Sequence, residues 1–193
     1  DLATGALSVY AAGSMTDNGL AAPYVIQNNN TDGISEYAFA GDLQGNVWSF
    51  PLSPTGGNVS APIYVAKDAS GNRQPITADM YATQNPNTGA VWVFFGTGRF
   101  LTDGDIRQSD PQVQTWYGLR ALKGGSSSPA VTYSNTRSNL QKREILAENV
   151  EGTDIYRATS IGDFSDLTED DNVGWYMDLV SPNNGKEGER AVY

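Results

Sequence analysis

Short apolar runs alternate along this chain with clusters of Gly, Asn, Asp, Ser and Pro. Few of the runs have helical spacing; most are β-branched or aromatic and bounded by turn residues, which is the pattern of strands. The spacing predicts strands over residues 6–10, 23–26, 37–40, 47–50, 61–66, 74–82, 90–95, 115–122, 130–133, 155–159 and 174–179, with another starting at 189. Gly41–Asn46, Lys67–Arg73, Asn85–Gly89 and Asn183–Gly188 read as turns, and Pro51–Ser60 as a loop. Only Ser138–Glu151 is compatible with a helix, and it reads equally well as a polar loop with a strand over Arg143–Ala147.

Many short strands without alternating long helices restrict the fold to an all-β sandwich, barrel or propeller. An internal similarity chooses among them. Gln44-Gly45-Asn46-Val47-Trp48-Ser49-Phe50 resembles Thr88-Gly89-Ala90-Val91-Trp92-Val93-Phe94, starting at position 88 against position 44. That interval is close to the ~40–50 residues of a four-stranded propeller blade. The expectation is a quinoprotein-like β-propeller with residues 1–193 in a single domain, a partial propeller of roughly four blades. Asp1 falls straight into folded-looking sequence and Tyr193 interrupts a strand, so the chain reads as part of something longer.

Composition narrows the chemistry. The 193 residues include 21 Gly, 10 Tyr and 4 Trp, with 39% hydrophobic residues, enough for a core. Net charge is −10, which disfavours nucleic-acid binding and favours cations. Cysteine and histidine are absent, so thiolate chemistry, the commonest general base and the commonest transition-metal ligand are all missing. No apolar run approaches the ~18 residues of a membrane-spanning helix.

One polar loop has the donor pattern for a hard cation such as calcium. Oxygen-bearing side chains fall at Asn28, Asn30, Asp32 and Glu36, and Gly33 permits a sharp bend. An EF-hand loop counted from Asn28 would need glutamate where Phe39 stands, so this is not an EF-hand. A shorter loop works, with side-chain ligands from Asn28, Asn30, Asp32 and Glu36 and the backbone carbonyl of Ile34. The same residues also make an ordinary Asn-rich turn, and both readings stand at this level. The acidic residues Asp163, Asp166, Glu169, Asp170 and Asp171, and the pair Asp103 and Asp105, fit no wrap-around spacing and read as solvated loops. Trp48, Trp92, Trp116 and Trp175 sit in strand patterns and read as core or inter-blade packing rather than a sugar-stacking platform. Arg99 reads as a structural partner of a nearby carboxylate.

The segment Ala40–Ser53 behind the Asn/Asp loop, with Gln74–Ala82, Val93–Asp105, Thr115–Arg120, Gly174–Leu179 and Gly188–Val192, resembles the C-terminal β-propeller of the PilC/PilY family. These are bacterial type IV pilus biogenesis proteins and tip-associated adhesins. The family's calcium loop has the form Asp-x-Asn-x-Asp-Gly-x-x-Asp, matched here by Asn28, Asn30, Asp32, Gly33 and Glu36 with two substitutions, which remove one negative charge. The resemblance implies a non-enzymatic, calcium-binding domain at the cell surface, pilus tip, outer membrane or periplasm. It acts in pilus biogenesis, extension–retraction control and adhesion, with pilus subunits (minor pilins) and host or abiotic surfaces as partners. The rival readings are a quinoprotein dehydrogenase-like enzyme and a glycan-binding propeller.

Overall fold

The computed structural model describes residues 5, 7–13, 16, 18–27, 35–52, 57–105, 109–124, 131–132, 134–160 and 173–192. Its first blade-sized sheet is built from Tyr24–Ile26 (β2), Tyr37–Gly41 (β3), Asn46–Pro51 (β4) and Tyr64–Val65 (β6), in the order β2-β3-β4-β6. All neighbours are antiparallel. The second combines Tyr81–Gln84 (β7), Val91–Gly96 (β8), Thr115–Leu122 (β9), Gln141–Arg143 (β10) and Gly174–Asp178 (β13) in the order β10-β13-β9-β8-β7. Only β10 runs parallel to its neighbour there. Two further sheets have two strands each: Tyr10–Ala12 (β1) with Gly57–Val59 (β5), and Ile145–Glu151 (β11) with Asp154–Thr159 (β12). Among the described residues four sheets are thus present, of which two have the size of a blade.

Strand alternation builds the core between the two large sheets. Val91, Val93 and Phe95 of β8 and Tyr117 and Leu119 of β9 point one way and are fully buried. They meet Tyr37 and Phe39 of β3, Val47 of β4 and Tyr64 of β6 in one cluster. The other face of the first sheet carries Ala38, Ala40, Trp48 and Phe50, covered by Tyr10, Ala12 and Val59 of the β1–β5 pair. A sheet covered on both faces explains why β3 and β4 are buried almost throughout and lack a polar alternation.

The two copies of the repeat fall on equivalent places, the second strands of the β3–β4 and β7–β8 hairpins. Gly45 and Gly89 precede them with φ +74° and +73°, the left-handed region that glycine enters without steric cost.

Other expectations shift. The first strand lies at Tyr10–Ala12 rather than 6–10, where it meets β5 inside the loop predicted over 51–60. Tyr24–Ile26 is a strand but only half-buried, with Val25 exposed. Residues 74–80 do not form a ladder, because the Ile76 amide donates to the carbonyl of Asp42 and Gln74 to that of Ala66. Residues 138–151 take the strand alternative, as β10 and β11 after a short 3-10 turn at Arg137–Asn139. Residues 189–192 form no strand; Ala191 instead donates one hydrogen bond to the Thr97 carbonyl. Residues 131 and 132 are not in a strand either.

Candidate functional site

The polar loop connects β2 to β3. Asn28, Asn30, Asp32, Gly33 and Ile34 lie outside the described residues; Glu36 lies within them. The two ends of the loop are fixed. Ile26 pairs with Tyr37 across the hairpin, the Glu36 amide donates to the Ile26 carbonyl at 3.1 Å, and the Glu36 carbonyl accepts from Leu52 at 2.7 Å. The Glu36 side chain is half-buried and has no hydrogen bond or ion pair among the described residues. Carboxylate and amide oxygens of this kind are the donor chemistry of a hard cation. Among the described residues no three acidic side chains gather at metal-binding distance.

The other acidic positions divide. Residues 163–171 are outside the described set. Asp105 is not a solvated loop carboxylate: it is buried and accepts from the Leu101 amide (2.9 Å), the Thr102 amide (2.9 Å) and Arg99 Nε (2.8 Å). Those backbone amides and the guanidinium hold its carboxyl well below the usual range, against the opposing effect of burial. Arg99 is thus the structural partner expected of it.

The tryptophans also divide. Trp48 is core, its Nε1 donating to Asp42 Oδ2 at 2.8 Å. Trp92, Trp116 and Trp175 share the outer face of the second sheet by strand register, and Trp116 is 41% exposed, so packing does not account for it. Gly118 makes this face possible: a Cβ there would sit 2.5 Å from Trp175 Nε1.

Two features escaped the sequence reading. The first is a repeated turn, Asp-x-x-Gly-Asn, at Asp42–Asn46 and Asp68–Asn72. In each, the aspartate Oδ1 accepts from the amides two and four residues on, all at 2.9 Å, and the glycine has positive φ. Comparing turns with turns, rather than strands with strands, would have found it. The second is a cleft of about 670 Å³ between the large sheets, lined by Tyr64, Lys67, Asp68, Arg137, Tyr176 and Asp178 among others. Arg137 lies 4.0 Å above the Tyr176 ring and donates to both oxygens of Asp178 at 2.6 and 2.5 Å. Asp178 accepts from Thr115 Oγ1, which accepts from Gln74 Nε2, both at 2.7 Å. Tyr117 Oη reaches Gln74 Oε1 and the Lys67 carbonyl at 3.0 Å, closing a polar network across the sheets. Burial pushes the Tyr117 phenol up to about 12 and Tyr64 higher still, while Arg137, against burial, is raised by Asp178. These shifts all lead away from neutrality, so they create no general acid or base working near pH 7.

Residues 2–158 match the sequence profile of the PilY1 beta-propeller domain. The chain belongs to the PilY1 β-propeller family. A type IV pilus biogenesis factor PilY1 homolog of Xylella fastidiosa is 35% identical over the whole chain, which spans 14% of that relative. The type IV pilus biogenesis factor PilY1 of Pseudomonas aeruginosa is 30% identical over the whole chain, which spans 19% of it. The solved C-terminal domain of Pseudomonas aeruginosa PilY1 superposes with a TM-score of 0.72 at 30% identity, covering 91% of this chain and 41% of that one. The partial β-propeller expected from the strands and the internal repeat, and the PilC/PilY family expected from the resemblance, are thus both found. These PilY1 relatives are named as biogenesis factors rather than enzymes.

Proposed function

We propose that this chain is a calcium-responsive, non-enzymatic propeller domain of a type IV pilus biogenesis protein at the bacterial cell envelope or surface. Membership of the PilY1 propeller family carries the pilus assignment. The Glu36 carboxylate, held at the end of the β2–β3 loop and without a partner among the described residues, supports the calcium assignment.

Calcium ordering the loop would offset the repulsion between Asp32 and Glu36 and couple it to β3, whose first residue directly follows Glu36. The ordered loop then sets a surface for a pilus subunit, a minor pilin, and thereby biases extension against retraction; surface adhesion follows from display at the pilus tip. No helix among the described residues is long and apolar enough to cross a membrane.

The test is Asp32→Ala in the full-length protein. Calcium affinity by titration calorimetry should fall at least tenfold, and twitching motility should change with it. Unchanged values for both would refute the proposal.

A further inference from the structure

Basic side chains are scarce in this chain, 12 against 22 acidic ones. Yet three arginines, Arg73, Arg99 and Arg190, line one cleft of about 260 Å³ on the side where the β3–β4 turn meets the segment before β9. Leu43, Gln44, Pro75, Asp105, Gln112 and Gln114 complete it.

The charges in this cleft are not balanced. Asp105 is the sole carboxylate of the lining, and it is taken by Arg99, two backbone amides and the Thr102 hydroxyl. Arg73 is held by neutral acceptors: its Nη1 donates to the Gln44 carbonyl at 2.8 Å and to Asn46 Oδ1 at 2.9 Å. Arg190 is held by carbonyls: Nε on Gly188 at 3.0 Å, and Nη1 on Arg99 at 2.8 Å and on Asp105. Nε and Nη2 of Arg73, and Nη2 of Arg190, have no partner among the described residues. These neutral clamps fix the direction of two guanidiniums while leaving their charge uncompensated, as an anion receptor requires.

A second observation is independent of charge. Gln114 is 8% exposed, and its Oε1 is buried without a hydrogen-bond partner. A buried acceptor left unmet is destabilising. It requires a donor, which a carboxylate does not supply by itself but the amide N–H next to a peptide's terminal carboxylate does. Asp105 at the cleft wall disfavours a dianion.

The geometry points to a site for a peptide C-terminal carboxylate. The carboxylate takes the free guanidinium N–H groups of Arg73 and Arg190. The amide N–H of the same terminal residue donates to Gln114 Oε1. Leu43 and Pro75 offer the apolar contact for its side chain. This site shares no residue with the calcium loop and does not depend on it.

The probe is an N-terminally fluorescein-labelled short peptide with a free C-terminal carboxylate, titrated with the full chain in anisotropy measurements at low ionic strength. Saturable binding is expected at ~1 mM or tighter, the range open to so small a contact. The same peptide as its C-terminal amide should bind at least about tenfold more weakly, the loss of a charge-assisted pair. Gln114→Glu, which puts a negative charge beside the carboxylate, should weaken binding by a similar factor with an unchanged circular dichroism spectrum; chelating calcium should leave binding unaltered. Equal binding of acid and amide, competition by inorganic phosphate as effective as by the free peptide, or no saturable binding would each overturn the assignment. The acid–amide comparison uses the unaltered protein, so it decides even if the variant misfolds.

Discussion

The two Asp-x-x-Gly-Asn turns make a controlled experiment inside one molecule. Asp42 is 1% exposed and receives five hydrogen bonds. Oδ1 accepts from the amides of Gln44 and Asn46, both at 2.9 Å. Oδ2 accepts from Asn46 Nδ2 at 2.8 Å, Trp48 Nε1 at 2.8 Å and Asn18 Nδ2 at 2.7 Å. Asp42→Asn preserves shape but replaces one oxygen by a donor. If the amide NH2 takes the Oδ2 place, three donors face a donor; if it takes the Oδ1 place, two backbone amides do. Either orientation loses at least two bonds to a charged acceptor at about 1.5 kcal/mol each, so the cost is about 3 kcal/mol. Asp68 makes the same turn, but its bonds to Ser70 and Asn72 are exposed and water replaces them when they break; only the bond from Gln112 Nε2, at 2.9 Å, is part-buried. Asp68→Asn should therefore cost about 1 kcal/mol or less. With a urea slope of about 2 kcal/mol/M for a domain of this size, the midpoints should fall by about 1.5 M and 0.5 M. Urea unfolding of the full chain, followed by tryptophan fluorescence and circular dichroism together, measures both. Equal shifts for the two variants, or an Asp42 shift under about 0.5 M, would show that burial does not set the value of this turn.

The remaining expectations follow from close approach and from titration. Gly118→Ala places a Cβ against the Trp175 indole, so β9 and β13 must separate; a loss of about 1–3 kcal/mol in urea unfolding is expected, and a neutral result would mean that the indole swings away freely. Stability should fall as pH drops below about 4. Asp105 is held below its ordinary value chiefly by the Leu101 amide, Asp68 by Gln112 and Asn72 against the pull of burial, and Glu148 by Ser181 and Arg157; depressed carboxyls stabilise above their unfolded values and lose that contribution on protonation. At the alkaline end the sign reverses, since burial raises Tyr117 to about 12: its contribution is complete below about 10 and is lost between there and 12, which thermal melts across that window would reveal.

Much of the scaffold was legible from local pattern alone. Thr115–Leu122 was predicted with its observed bounds, and β3, β4, β8, β12 and β13 lie within a residue of expectation at each end. Those strands have strong apolar or aromatic runs closed by Gly or Asn turns, so local propensity and tertiary demand agree. Where they disagree the pattern misled. Gln74–Met80 looks extended but bonds to the Asp42 turn and to Ala66, because Gln74 is needed at the sheet junction. Gly57–Val59 has no strand signal of its own and pairs only because β1 lies alongside it.

By itself, the sequence determined the all-β class, the repeated Gly-x-Val-Trp segment, the family and the oxygen-rich order of Asn28, Asn30, Asp32, Ile34 and Glu36. All of these are written in residues adjacent or regularly spaced along the chain. Tertiary structure alone decided that Arg137 meets Asp178, that Asp42 and Asp68 make one turn in two different environments, and that Arg73, Arg99 and Arg190 share a wall with an unsatisfied Gln114. Those meetings join residues tens of positions apart, and burial, which sets the strength of each charge and hydrogen bond, exists only once the sheets have packed.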